Sequence, residues 1–318
     1  MRHQILQLIG LAMPAGIVGG WVYTYANRLR RQTHIRTSIA DHLGRRLPLL
    51  GTIVLIQAIW PWSRVGDRVA LAVDAALAIG GLQLAAFVAG AWRRGLYWPG
   101  RRTAPRAVAG ILLGLALFAL VQYGQGPCAA SAVQLSPPLE RAWYVSQGGP
   151  TLMTNLHALA PAQRHAVDLV RLGPDGLSHR GLLDLTSFHA WGEPVYAPVA
   201  GTVVSAASGH PDMPPGERDR RDPRGNHVLI ETADGIQVLL AHLQQGSVTV
   251  QRGAHVGVGQ LLGRIGNSGI TSEPHLHLGV MQLDGGRDVG VPFVIADGLG
   301  PASCLRKDQR LEWPARVG

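Results

Sequence analysis

Two histidines separated by one residue, His275 and His277, are where side-chain type and spacing first point to chemistry in this 318-residue chain. They lie in Pro274-His275-Leu276-His277-Leu278, a run that reads as a β-strand. Side chains two apart in a strand project from one face, so both imidazoles face the same way while Leu276 turns into a core. Imidazole ligates metals and also carries protons near neutral pH. The pair can therefore divide its labour, one ring on a metal and the other on a reacting group. An isolated H-x-H is a weak signal, and its meaning rests on the surrounding chain.

The elements that must hold this pair are short. Val195 to Ala200, Thr202 to Ala206, His227 to Thr232, Ile236 to His242 and Leu276 to Met281 are β-branched and apolar runs bounded by Gly, Pro, Asn or Asp. They predict a mainly β domain. Ser208 to Asn226 is charged, proline-rich and aperiodic, which predicts a loop beside a binding groove. Asn267 and Ser268 stand in a glycine-bounded turn and are read as turn residues. His179, His189, His210, His227 and His255 are read as structural or solvent-exposed.

In their order along the chain, several stretches resemble the lysostaphin-type (M23) zinc peptidases. They are Gly192-Glu193-Pro194-Val195-Tyr196-Ala197-Pro198, Gly225-Asn226-His227-Val228, Leu240-Ala241-His242-Leu243, Gly266-Asn267-Ser268-Gly269 and the H-x-H run. The resemblance implies an antiparallel β-sheet peptidase fold whose groove holds one Zn2+ between histidine, aspartate and histidine. By motif position it implies that His277 and Asp168 are metal ligands and that His275 and His242 are unligated catalytic histidines. Zinc held by three protein ligands keeps a fourth position for water and lowers the pKa of that water towards ~7. His275 is assigned to the general base or proton shuttle. His242 is assigned to orienting water or stabilising an oxyanion, and an exchange of the two roles stays open.

One departure from the family pattern matters. Its first-ligand motif, H-x-x-x-D, would place a histidine at position 164, where this chain has Arg164. His165 stands three residues before Asp168 and, in a continuous strand, points to the opposite face. His157, in Asn155-Leu156-His157, lies on a separate stretch beyond Pro161 and can approach from elsewhere. The pattern N-x-H followed by Q-R-x-A-x-D resembles a variant branch of the family. His157 is therefore the expected third metal ligand, with His165 the alternative.

The N-terminal part is of a different kind. Its apolar runs, flanked by Trp and Tyr, predict four transmembrane α-helices at 5–25, 47–62, 69–92 and 107–123, in a membrane region covering 1–123. Pro14 interrupts the first run and no small-x-small cleavage site follows it, so it reads as an anchor and not as a signal peptide. A linker over 124–142 leads to the mainly β domain over 143–318. Residues 1 to 125 carry 14 arginines and three aspartates, a net +11, which leaves 15 basic and 17 acidic side chains, a net −2, in the rest. The overall charge of +9 thus belongs to the membrane half, and the outer half offers no basic stripe for nucleic acid. Cys128 and Cys304 flank the outer domain, where an oxidising compartment permits a bridge between them.

Arginines cluster in the first and third loops between these helices, six in Ala26 to Arg46 and five in Arg93 to Arg106, whereas the second loop has only Arg64 and Arg68. Positive loops stay in the cytoplasm, so both termini and the soluble domain are expected on the periplasmic side of the cytoplasmic membrane. The expected function is that of a zinc metalloendopeptidase, anchored in the lipid bilayer by four helices, that cuts peptidoglycan stem or cross-bridge peptides. The alternative, which Arg164 sustains, is a catalytically degenerate module that binds and activates other cell-wall hydrolases. A periplasm-dependent reporter fused after Tyr123 is expected to be active, and activity confined to a cytoplasm-dependent reporter would refute this topology.

Overall fold

The alternating apolar residues of the C-terminal half form short β-strands that pair almost entirely antiparallel. A computed structural model describes residues 132–315, apart from 153, 182–183 and 297–302. The four apolar segments, Cys128 and the start of the linker lie outside the described residues. Among the described residues no helix is long and apolar enough to cross a membrane. The strands are β1 (Val133–Leu135), β2 (Arg141–Gln147), β3 (Val167–Val170), β4 (Pro194–Tyr196), β5 (Gly201–Ala207), β6 (Asn226–Glu231) and β7 (Ile236–Leu243). They continue as β8 (His255–Val256), β9 (Leu261–Arg264), β10 (Leu276–Asp284), β11 (Arg287–Gly290), β12 (Phe293–Ile295), β13 (Ser303–Cys304) and β14 (Arg310–Trp313).

Nine of them make one antiparallel sheet in the order β14-β2-β3-β10-β7-β6-β5-β8, with β11 paired to β10. β4 pairs with β9, and β1 runs parallel to β12, which pairs with β13. β1 falls within the stretch read above as linker, and Leu135 and Leu139 are already part of the core.

The central strands β7 and β10 are covered on both faces for most of their length. One face packs Leu169, Leu276, Leu278, Val238, Leu240 and Ile230 into the main core. The other carries a smaller apolar cluster of Leu229, Leu239, Ala241 and Met281. Residues directly opposite across a sheet share a face. His277 lies opposite both Asp168 on β3 and Ala241 on β7, so the second face is the one that bears the polar site.

Three features depart from the expected strands. β4 stops at Tyr196 because Pro198 has no N–H to continue a ladder, and its carbonyl accepts from Ser136 instead. β10 runs on to Asp284, where Gly285 and Gly286, with φ of 55° and 80°, close a two-residue hairpin into β11. β7 contains a bulge. Asn226 pairs with Leu243 and His227 with Ala241, which leaves His242 as the extra residue, at φ 64°.

Leu240 is fully buried at the middle of the sheet. Leu240→Ala is expected to cost ~2–5 kcal/mol in denaturant unfolding. The control Leu283→Ala, at a site 65% exposed, is expected to change stability by less than ~0.5 kcal/mol.

Candidate metal centre

Three histidines from two separate segments meet at one carboxylate. Asp168, the second residue of β3, is buried, and its Oδ1 lies 2.9 Å from His157 Nε2, 3.0 Å from His277 Nδ1 and 3.4 Å from His275 Nε2. His157 arrives on a 3-10 turn, Leu156–Leu159, ahead of β3, and its ring stands nearly perpendicular to that of His277, with centroids 4.6 Å apart. One donor atom from each of His157, Asp168 and His277 falls within 4.8 Å of the other two. A tetrahedral ion with bonds of ~2.0–2.1 Å needs donor atoms roughly 3.3 Å apart. Two imidazole nitrogens and one carboxylate oxygen are a donor set that suits zinc. The residues present therefore fit the group that the resemblance implies.

His157 is tied in place by its neighbour. Asn155 is buried; its Oδ1 accepts from the His157 backbone N–H, while its Nδ2 donates to the carbonyls of Gly149 and Ala166 at 2.9 Å each. One side chain thus joins the turn that bears His157 to the residue that leads into β3. Gln147 adds a second tie, accepting from Leu156 N–H. His165 lies in the turn before β3 and does not join the group. Arg164 is exposed at the end of the short turn Pro161–Gln163.

The two remaining histidines line the same site. His275, just ahead of β10, donates from Nδ1 to the carbonyl of Glu273 at 2.8 Å, which leaves Nε2 directed at Asp168. His242 donates from Nδ1 to the carbonyl of Ser268 at 2.8 Å, and its ring lies 4.9 Å from that of His275 and 5.6 Å from that of His277. Strict alternation would send His242 to the main core with Leu240. The bulge and the left-handed backbone turn it to the polar face instead. Asn267 and Ser268, read as turn residues, lie instead in the extended stretch between β9 and β10, where Ser268 bridges to Asp212. Asn267 N–H donates to Asp212 Oδ1 and Ser268 Oγ donates to the Leu243 carbonyl, which pins the 208–225 loop beside His242.

Burial works to raise the Asp168 carboxyl, but the His157 and His275 imidazoles override it and hold it well below the usual carboxylate range. Burial, with the nearby His275 and His277 rings, pushes His242 well below the ordinary imidazole value. Burial also lowers His277. Burial works to lower His275 too, but the Asp168 carboxylate and the Glu273 carbonyl and carboxylate together raise it. A buried anion thus sits beside His242 and His277 rings that burial shifts towards the neutral form.

Sequence reasoning passed over three contributors. Thr271 Oγ1, buried, lies 3.1 Å from His275 Nδ1. Asn155 and Gln163 both stood in the quoted N-x-H and Q-R pattern, but their partners are set by tertiary contact. Gln163 Oε1 lies 2.8 Å from His277 Nε2. Of the other histidines, His210 pairs with Asp222, and His227 is held by Ser205 and the Gly225 carbonyl.

Residues 179–289 match the family model described as peptidase family M23, a span that contains His242, His275 and His277 and begins after His157 and Asp168. No curated protein matches the chain. Among solved structures, the chain is similar to lysostaphin in solution at 23% identity, over 40% of each chain, with a TM-score of 0.26. It is also similar to a zinc-containing peptidase from Vibrio cholerae, at 18% identity over 53% of this chain and 38% of that one, with a TM-score of 0.27. A third is a putative peptidase M23 from Pseudomonas aeruginosa, at 19% identity over 57% and 58% of the two chains, with a TM-score of 0.29. In each case the chain spans less than two thirds of the length of the structure it matches. The family match lies on the strands that bring His242, His275 and His277 together, and over residues 179–289 the chain is a peptidase family M23 domain.

Proposed function

We propose that this chain is a zinc metalloendopeptidase, anchored in the cytoplasmic membrane by its N-terminal region, that hydrolyses peptide bonds of peptidoglycan outside the cytoplasm. The observation that carries the reading is the convergence of His157 Nε2, Asp168 Oδ1 and His277 Nδ1 beside two further histidines whose Nδ1 protons are already engaged. The first three side chains would hold the ion. What zinc supplies when so bound is a Lewis acid for a carbonyl oxygen and a water acidified to a pKa near ~7.

The chain's own groups account for the proton movements. The Glu273 carbonyl holds the His275 proton on Nδ1, so the Nε2 lone pair can take a proton from the attacking water and return it to the leaving amine. The Ser268 carbonyl does the same for His242, whose Nε2 can accept a hydrogen bond from the water and hold it in line with the carbonyl carbon. Hydrolysis then forms one C–O bond and breaks one C–N bond, with a single proton relayed by His275. Peptidoglycan as substrate comes from the family likeness. The membrane anchor and the periplasmic position come from the apolar runs and arginine distribution of residues 1–123.

Zinc content of the full-length chain tests this reading against that of a metal-free binding module. The wild type is expected to hold one zinc per chain, His157→Ala and His277→Ala to lose it, and His165→Ala to keep it. His275→Ala is expected to retain zinc and lose ~10²–10⁴-fold in kcat on peptidoglycan peptides. A wild-type chain without zinc and without hydrolysis would leave the regulatory alternative standing, and loss of zinc from His165→Ala alone would reassign the third ligand.

A further inference from the structure

The His277 ring faces a hydrogen-bond acceptor at each nitrogen. Nδ1 lies 3.0 Å from Asp168 Oδ1, and Nε2 lies 2.8 Å from Gln163 Oε1. A neutral imidazole carries one N–H and cannot donate to both. With the proton on Nε2, Gln163 is satisfied, and the Nδ1 lone pair and the Asp168 oxygen are two electron-rich atoms directed at the same space. A cation between them resolves that opposition, and a ring N–H donated to a fixed acceptor is the usual way a metal-bound histidine is oriented.

The Gln163 amide sits with Oε1 towards His277 and Nε2 4.0 Å from Met281 Sδ, a weak acceptor. Its place is made by missing side chains. A Cβ on Gly279 would stand 2.5 Å from Gln163 Oε1, and one on Gly290 would stand 3.0 Å from the Ala162 carbonyl oxygen and the Arg164 nitrogen. The turn Pro161–Gln163 therefore rests on a shelf of β10 and β11. Along β10, three positions on one face supply in order the ring that Gln163 binds, the gap it fills and the sulfur beside its Nε2: His277, Gly279 and Met281.

We propose that Gln163 is a positioning residue that holds the His277 proton on Nε2 and so presents Nδ1 to the metal, an inference that rests on the zinc reading above. It touches His277 and Met281 and no reacting atom, so it acts on metal affinity and ring orientation. The test uses the full-length chain with its histidine rings labelled with 15N, and zinc affinity is measured by chelator competition. Gln163→Leu removes the acceptor, and Gly279→Ala displaces only the end of a flexible side chain. Both are expected to weaken zinc binding by ~10–100-fold. Both are also expected to lose the slowly exchanging Nε2–H signal of His277 that is expected of the zinc-loaded wild type. Gln163→Glu keeps an acceptor oxygen at the same reach and is expected to restore affinity and signal. Wild-type affinity in both Gln163→Leu and Gly279→Ala, or failure of Gln163→Glu to rescue, overturns the proposal while leaving the zinc reading intact. A wild-type chain that takes up no zinc overturns both.

Discussion

A buried carboxylate surrounded by imidazoles is the constraint on which this domain turns. Removing a charge from water costs several kcal/mol unless partners are supplied. Asp168 Oδ1 has three ring nitrogens within 3.4 Å, from His157 on the turn before β3, His275 just ahead of β10 and His277 near its start, and of these His157 and His275 hold the carboxylate charged. Only His275 and His277 lie close in sequence, with one residue between them, so the site exists only when β3 and β10 pair in the observed register. A slip of one residue would send Asp168 to the opposite face and strand a carboxylate in the main core. Fold and site are specified by the same register.

The sheet meets this demand by treating its two faces differently. Leu276, Leu278 and Val280 fill the core, while His277, Gly279 and Met281, between them, serve the polar site. His242 breaks the pattern. A non-glycine residue at φ 64° is strained by ~1–3 kcal/mol. The surroundings offset this: the Ser268 carbonyl accepts from the ring, the Arg224 carbonyl accepts from the backbone N–H, and the His242 carbonyl accepts from Gly266 N–H. The strain delivers an imidazole from a core-facing position to the site.

The parts legible from sequence were those governed by local periodicity. The H-x-H strand, with Leu276 inward and two rings on one face, and the bodies of β5, β6 and β7 follow from alternation alone. β3 escaped notice because four residues preceded by turns give too little pattern to register, although it carries Asp168. The bulge at His242 was invisible for a different reason. Alternation predicts the wrong face there, and only the pairing shift between β6 and β7 reveals the extra residue. The roles of Asn155 and Gln163 were equally hidden, since an amide gives no local sign of which distant carbonyl or ring it will meet.

Arg164 is where the local geometry explains a departure that the sequence could only flag. The turn Pro161–Gln163 points Gln163 inward, onto the gap left by Gly279, and Arg164 follows in a helical conformation with its side chain exposed. A histidine at 164 on this backbone would start from a solvent-facing position, four residues from Asp168 in sequence but on the wrong side of the turn. The continuous strand that would place residues 164 and 168 on one face is absent, because β3 begins only at Val167. The second imidazole nitrogen near Asp168 has to come from elsewhere, and Asn155 shows how a separate turn is made rigid enough to supply it: three hydrogen bonds made by one buried amide, two donated and one accepted, fix His157 relative to β3. The exposure of residue 164 and the inward placement of Gln163 are two consequences of one turn, since the turn that leaves Arg164 outside is the turn that brings Gln163 to His277.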